Sequence, residues 1–234
     1  MPHGWSLKVV LAVLWHRGMS FDPSFLKLKM KHQMIFVRVA TINDIRYTQQ
    51  ICKETEASAI ARGTGIAKRS PESIARKMRE GKAVIAVTSS EEWVGFAYLE
   101  TWQNDQFISN SGLIVAPQFR NSGVAKAIKG RIFQISRSRY PLAKIFSITS
   151  GAAILKMNTR MGFEPVTFQQ ITQEDSFWEA CKGCVNYDIL EGKKRANCLC
   201  TAMLFDPAEL EMHANPPLQP FFSPYNFSAI KSSF

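Results

Sequence analysis

The chain has 234 residues, 46% of them hydrophobic, enough for one full core, and no break in composition divides it into two equal domains. With 29 Lys and Arg against 19 Asp and Glu, the net charge of +10 favours an anionic partner: a phosphate-bearing ligand, an acidic surface or nucleic acid. No run approaches the roughly 20 apolar residues of a membrane-spanning helix, which excludes that class of segment.

In chain order, residues 1–33 read as a basic, poorly ordered extension: Lys8, Arg17, Lys27, Lys29 and Lys31 stand against the single Asp22 around the apolar run Val9 to Trp15. No small-x-small cleavage site follows that run, so a signal peptide is disfavoured. A strand is predicted at Ile35 to Val39, then an N-cap at Asn43-Asp44 opening a helix that carries Ile45, Ile51 and Cys52. After a loop, Ser70-Pro71-Glu72-Ser73 opens a second helix with Ile74 and Met78, Pro71 suiting its first turn. Strands at Ala83 to Thr88 and Trp93 to Glu100 are joined by the hairpin Ser89-Ser90-Glu91-Glu92. The strand Ile108 to Val115 leads through a basic turn into a helix with the apolar stripe Ile128, Ile132, Phe133 and Ile135, leaving Lys126, Lys129 and Arg131 to face water. A strand at Ala143 to Thr149, a helix at Ala152 to Arg160 with Gly162 as its C-cap, and a strand at Phe163 to Phe168 follow. The last strand, Ala202 to Phe205, is predicted to pair with that one. In the tail over 211–234, Pro216, Pro217, Pro220 and Pro224 alternate with Phe221, Phe222, Tyr225 and Phe227, which rules out a helix and suits surface docking or a frayed terminus. The alternation of strands and helices points to a mixed α/β fold.

The stretch Val115 to Ala125 has the outline of a phosphate site. Backbone N–H groups freed at a helix N-terminus bind anionic oxygens without a charged side chain. Arg120 adds a charge on the approach, Gly123 lets backbone come close to a ligand, and Ala125 keeps the next turn small. The run resembles the acetyl-CoA signature of the GNAT family of N-acetyltransferases, an Arg/Gln-x-x-Gly-x-Gly/Ala motif occupied here by Arg120, Asn121, Ser122, Gly123, Val124 and Ala125. Asn121 stands where the family usually has Gly, a mild departure because Asn tolerates positive φ. The ending Arg160-x-Gly162-Phe163 fits the family's second signature, but Gly151 replaces its Asn and Asn158 replaces its Tyr. That Tyr is the family's usual general acid toward the departing thiolate. Asn158 can donate a hydrogen bond to sulfur but cannot deliver a proton.

The resemblance implies a GNAT fold over 34–210: a central mixed, mostly antiparallel twisted sheet flanked by helices, here with a Cys-rich insertion at 170–200 before the last strand. It also implies acetyl-CoA or another acyl-CoA as co-substrate, and a backbone N–H at Val115 polarising the thioester carbonyl. The loop Ala61 to Glu72 is similar to a Gly-x-x-x-x-Arg-Ser segment of GNAT-type N-acetylglutamate synthases. There Arg69 matches the Arg that grips the amino acid's carboxylate, and Lys68 could serve a second acid group; the alternative is a solvated basic loop. Glu100, at a strand end bordering the family's cleft, is the candidate general base.

The cysteines are the other unusual feature. Cys181 and Cys184 form a C-x-x-C pair, and Cys198 and Cys200 a C-x-C pair 13 residues on. Such spacing suits a structural zinc site, with buried apolar cysteines and a disulfide pair as alternatives. A metal clip would also order a connection of roughly 30 residues. The reading is therefore a cytoplasmic N-acetyltransferase acting on a small-molecule amine, glutamate favoured; a homodimer is allowed, nucleic acid is disfavoured and no membrane is involved. A protein lysine or N-terminal acetyltransferase, or a zinc-containing nucleic-acid-associated regulator, are the alternatives.

Overall fold

Strands and helices alternate along the residues that the computed structural model describes, 26–30, 33–63 and 67–209. The basic arm over 1–25 and the tail over 211–234 lie outside the described residues. Strand β1, Leu26–Met30, pairs antiparallel with β2, Gln33–Val39. The expected unordered extension is thus corrected over Leu26–Met30, which satisfies backbone groups along the edge of β2.

The helix cap expected at Asn43-Asp44 sits two residues earlier. Thr41 donates its N–H to Asp44 Oδ2 at 2.7 Å, and Arg38 clamps the same carboxylate at 2.6 and 2.8 Å. A 3-10 turn, Ile42–Tyr47, then runs into α1, Thr48–Ala61. Helix α2, Pro71–Arg79, starts on Ser70, whose hydroxyl accepts the Ser73 N–H at 3.1 Å, with Pro71 in the first turn. Strands β3 (Ala83–Thr88), β4 (Trp93–Trp102) and β5 (Phe107–Val115) form a meander. Helix α3 (Val124–Arg139), β6 (Lys144–Thr149), α4 (Ala152–Arg160) and β7 (Glu164–Val166) follow. β7 is shorter than predicted because Gln170 caps Thr167 and starts a 3-10 turn over Phe168–Gln170. Helices α5 (Asp175–Glu179) and α6 (Tyr187–Gly192) lead to β8, Thr201–Phe205.

The sheet order is β1-β2-β3-β4-β5-β6-β8-β7, antiparallel at every step except the parallel pair β5–β6. β8 meets its expected partner β7 on one side and β6 on the other. Strand alternation puts Tyr98, Glu100 and Trp102 on one face of β4. There Lys77 of α2 pairs with Glu100, and Phe177 of α5 lies edge-on to Trp102 at 5.2 Å. Helix α3 covers the opposite face, with Phe133 packed on Phe163 at 5.7 Å and on Phe205 at 4.9 Å. The main core includes Trp93, Phe96, Leu99, Ile128 and Phe163, and a smaller one gathers Phe146, Phe168, Trp178 and Leu190 under the β7–β8 connection. That connection is ordered by aromatic packing: Phe177 also meets Phe146 at 5.1 Å, and the Trp178 indole donates to Thr172 O at 3.1 Å.

Candidate functional site

A cleft opens where the only parallel pair of the described sheet comes apart. β5 and β6 pair over Phe107–Ser109 and Lys144–Phe146, yet β5 continues to Val115 and β6 to Thr149. Beside the opening, the β4–β5 register slips between Phe96 and Tyr98, and Gly112 takes φ +67°. A Cβ at Gly112 would fall 2.5 Å from the Tyr98 ring, so only glycine lets the two strands approach there. Ala116 N–H bonds back to Val94 O at 2.9 Å. Alternation therefore turns the N–H and C=O of Val115 away from β4, toward the cleft.

The turn at the end of β5 has left-handed backbone at Asn121, φ 61°, and Gly123, φ 86°. Asn121 thus takes the left-handed conformation that its side chain tolerates. No side chain caps α3, so the N–H groups of Val124, Ala125 and Lys126 are free of intrahelical acceptors at the positive end of a 16-residue helix dipole. Ser122 turns its hydroxyl inward to Phe119 O. Arg120 differs from expectation: Nη2 reaches Glu54 Oε1 and Ser58 Oγ of α1, both at 2.7 Å, and Nε donates to Val115 O at 3.1 Å. Its fork ties α1 to the turn, which leaves anion binding to the backbone.

Next to β4, half-buried Arg69 donates from Nε to the Tyr98 hydroxyl at 3.1 Å and from Nη1 to Ala67 O at 2.9 Å. Its guanidinium lies 5.6 Å from the Tyr98 ring. Arg69 is thus held, through Tyr98, directly beside the Gly112 bulge. Lys68 is exposed, and its backbone packs on Gly183. Glu100 does not stand free as a base. Lys77 pairs with it directly, and Lys82 Nζ is 3.8 Å away. Its carboxylate is thus already engaged by two ammonium groups. Burial, with Arg76 beside it, pushes Lys77 down to about 8.

Asn158 is fully buried on α4, and neither amide atom has a protein partner. Lys129, expected to face water, is instead 2% exposed, with Nζ 5.2 Å from the Phe163 ring and burial pushing it down to about 8. Tyr98 and Lys129 are the two residues the sequence reading missed. The signals were Tyr98 lying two positions from Glu100 on one strand face, and the i, i+4 stripe Ala125, Lys129, Phe133 that packs toward α4 and β7.

The expected zinc centre finds no support in the arrangement of its cysteines. Among the described residues no group of three or more His, Cys, Asp or Glu side chains is arranged to hold a metal ion. Cys181, Cys184, Cys198 and Cys200 are half-buried free thiols, and three of them pack on the Phe146–Trp178 cluster. Burial and then the neighbouring thiols push Cys181 up to about 11 and Cys200 up to about 12. Protonated thiols against aromatic rings behave as small apolar groups.

Neither a family model nor a curated protein matches the sequence. Solved structures do. Over 74% of this chain the fold superposes on N-acetylglutamate synthase from Neisseria gonorrhoeae, solved with coenzyme A and N-acetyl-glutamate, at TM-score 0.53 and 14% identity. A Mycobacterium tuberculosis protein in complex with CoA and NLQ matches over 73% of this chain and 98% of its own, at TM-score 0.52 and 17% identity. The loading GNATL domain of CurA from Lyngbya majuscula matches over 75% and 98%, at TM-score 0.50 and 11% identity. This chain has the GNAT fold. It spans only 35% of the Neisseria synthase chain. The order of strands and helices expected from β2 to β7 is the order found, and the expected mixed, mostly antiparallel sheet has β5–β6 as its parallel step. No helix among the described residues is long and apolar enough to cross a membrane.

Proposed function

We propose that this chain is an acyl-CoA-dependent N-acyltransferase that moves an acetyl or related acyl group to a primary amine, the α-amine of a small amino acid such as glutamate. The observation that carries this reading is the parting of β5 and β6 beside the uncapped, left-handed turn at Asn121 and Gly123. A slot between strands accepts a slender thioester arm, and the free N–H groups of Val124 to Lys126 suit a pyrophosphate at its outer end. Two of the structural neighbours were solved with CoA, which supports the same donor here.

The residues divide the reaction between them. Val115 N–H, turned toward the cleft, donates to the thioester oxygen as negative charge develops on it. Arg69, preorganised by Tyr98 and Ala67, holds the acceptor's carboxylate so that the amine faces the carbonyl carbon. The amine attacks directly, the C–N bond forms as the C–S bond breaks, and no covalent enzyme intermediate is needed. The Asn158 amide, without a protein partner, donates to the departing sulfur. With Glu100 bound by lysines, water takes the ammonium proton before attack. Thiol release from acetyl-CoA and succinyl-CoA, measured across a panel of amino acids, tests this. Acceptor-dependent release with glutamate and acetyl-CoA is expected, and absence of release with every pair would overturn it.

A further inference from the structure

Helix α3 runs back along β5, and two contacts fix its level. A Cβ on Gly95 of β4 would stand 2.7 Å from Ile128 Cδ1 and 2.8 Å from Ile114 O, so Ile128 lies level with Ile114. Further along, the Ser136 hydroxyl accepts from the Asn110 amide at 2.9 Å. β5 leaves β6 after Ser109, so the turn of α3 that carries Ile128 and Lys129 lies alongside the unpaired stretch of β5. From there the Lys129 ammonium reaches to 5.2 Å from the Phe163 ring. Phe163 in turn donates its N–H to the Asn158 carbonyl of α4 at 3.1 Å. A buried ammonium and a buried amide, from two helices, thus flank one aromatic residue beside the opening. Neither side chain forms a hydrogen bond or an ion pair among the described residues. The charges around them are turned elsewhere: Lys126 of α3, Lys156 and Arg160 of α4 and Glu164 of β7 are exposed. Arg137 lies 5.3 Å from the Phe205 ring, and Asp206, after β8, pairs with Lys144 at 2.6 Å.

Burying a positive charge without a counter-charge is costly, and such a group is stabilised when an anion arrives beside it. Acyl transfer generates one anion inside the slot, the thiolate of CoA. We infer that Lys129 protonates that departing thiolate, the acid step that the Asn158 amide cannot perform. This rests on the proposed acyl transfer and names its proton donor. As the C–S bond breaks, its electron pair passes to sulfur. Nζ gives the sulfur one proton, which leaves a neutral amine and the CoA thiol. The new amide nitrogen sheds its extra proton to water, and water returns one to Lys129. Burial alone pushes Lys129 down to about 8, so it stays protonated at neutral pH yet yields its proton more readily than an ordinary lysine.

The test uses the full chain. Acetyl-CoA binding and glutamate turnover by wild type establish the underlying reaction; absence of both overturns that reading and this one together. With the reaction established, the thiol of bound CoA is titrated by its ultraviolet thiolate absorbance. It should ionise at lower pH than free CoA in the same buffer, because a neighbouring ammonium favours the thiolate. An unshifted thiol on wild-type protein would refute the inference without any variant. In Lys129→Met the shift should vanish and kcat should fall by about a hundredfold, with the acetyl-CoA KM near wild type. Wild-type kcat should also decline as pH rises through about 8, where the ammonium is lost, and the variant should lack that decline. A folded Lys129→Met protein with wild-type kcat and the same alkaline decline would overturn the role of Lys129 and leave the acyl transfer standing.

Discussion

Gly112→Ala perturbs the site at a point where two independent penalties act on one atom. The backbone there is left-handed at φ +67°, a region that costs an L-residue about 1–2 kcal/mol. The added Cβ would also stand 2.5 and 2.8 Å from two Tyr98 ring carbons, against an ordinary carbon contact of about 3.5–4.0 Å. The ring must therefore recede by about 1 Å, and it takes with it the hydroxyl that accepts Arg69 Nε. For a chain of this size the strain alone corresponds to a melting temperature lower by about 2–8 °C. The larger effect belongs to the acceptor, since misplacing a gripping group by about 1 Å can cost up to about a hundredfold. Melting curves and steady-state kinetics with both substrates varied form the assay. The expected pattern is a higher amino-acid KM with the acetyl-CoA KM near wild type. Unchanged acceptor KM and unchanged melting temperature together would refute the reasoning about the bulge.

Three further variants probe the other groups. Arg69→Gln removes a charged fork worth about 1.5–3 kcal/mol, so the amino-acid KM should rise by about ten- to a hundredfold; a KM within twofold of wild type would count against carboxylate recognition. Asn158→Leu removes a buried amide that has no protein partner, at a cost to the fold of about 1–3 kcal/mol, so the variant should melt higher while kcat falls about tenfold. Lower melting with full kcat would reverse the assignment. Lys129 binds its proton less tightly folded, at about 8, than at its ordinary 10.5. Between those values the unfolded chain holds more protons, so wild-type stability should rise with pH across that window and fall back as pH drops through about 8. Lys129→Met should flatten that rise and raise the neutral-pH melting temperature; identical pH profiles would sink the argument.

Local chemistry made much of this fold legible. Ser70-Pro71 opens α2 as its capping chemistry demands, and Asn121 takes the left-handed backbone that its side chain tolerates. What the sequence did not carry is tertiary. The parting of β5 from β6 is a property of two strands distant along the chain, and no residue type marks where pairing stops. Lys129 was placed in water because one apolar stripe accounts for α3, while packing of α4 and β7 buries a second face. Glu100 kept its strand position, but its lysine partners come from α2 and from the turn before β3, so its basicity could not be read from the neighbours in sequence. The cysteine spacing allowed either metal or apolar burial, and only the folded chain shows three of the four thiols packed on the aromatic cluster beneath them.

Calorimetric titration with CoA tests the central claim most directly. The account predicts saturable binding of one CoA per chain, lost in Asn121→Pro, because proline cannot adopt the φ of 61° on which the turn depends. No binding by the wild-type protein, or equal binding by a folded Asn121→Pro variant, would contradict it.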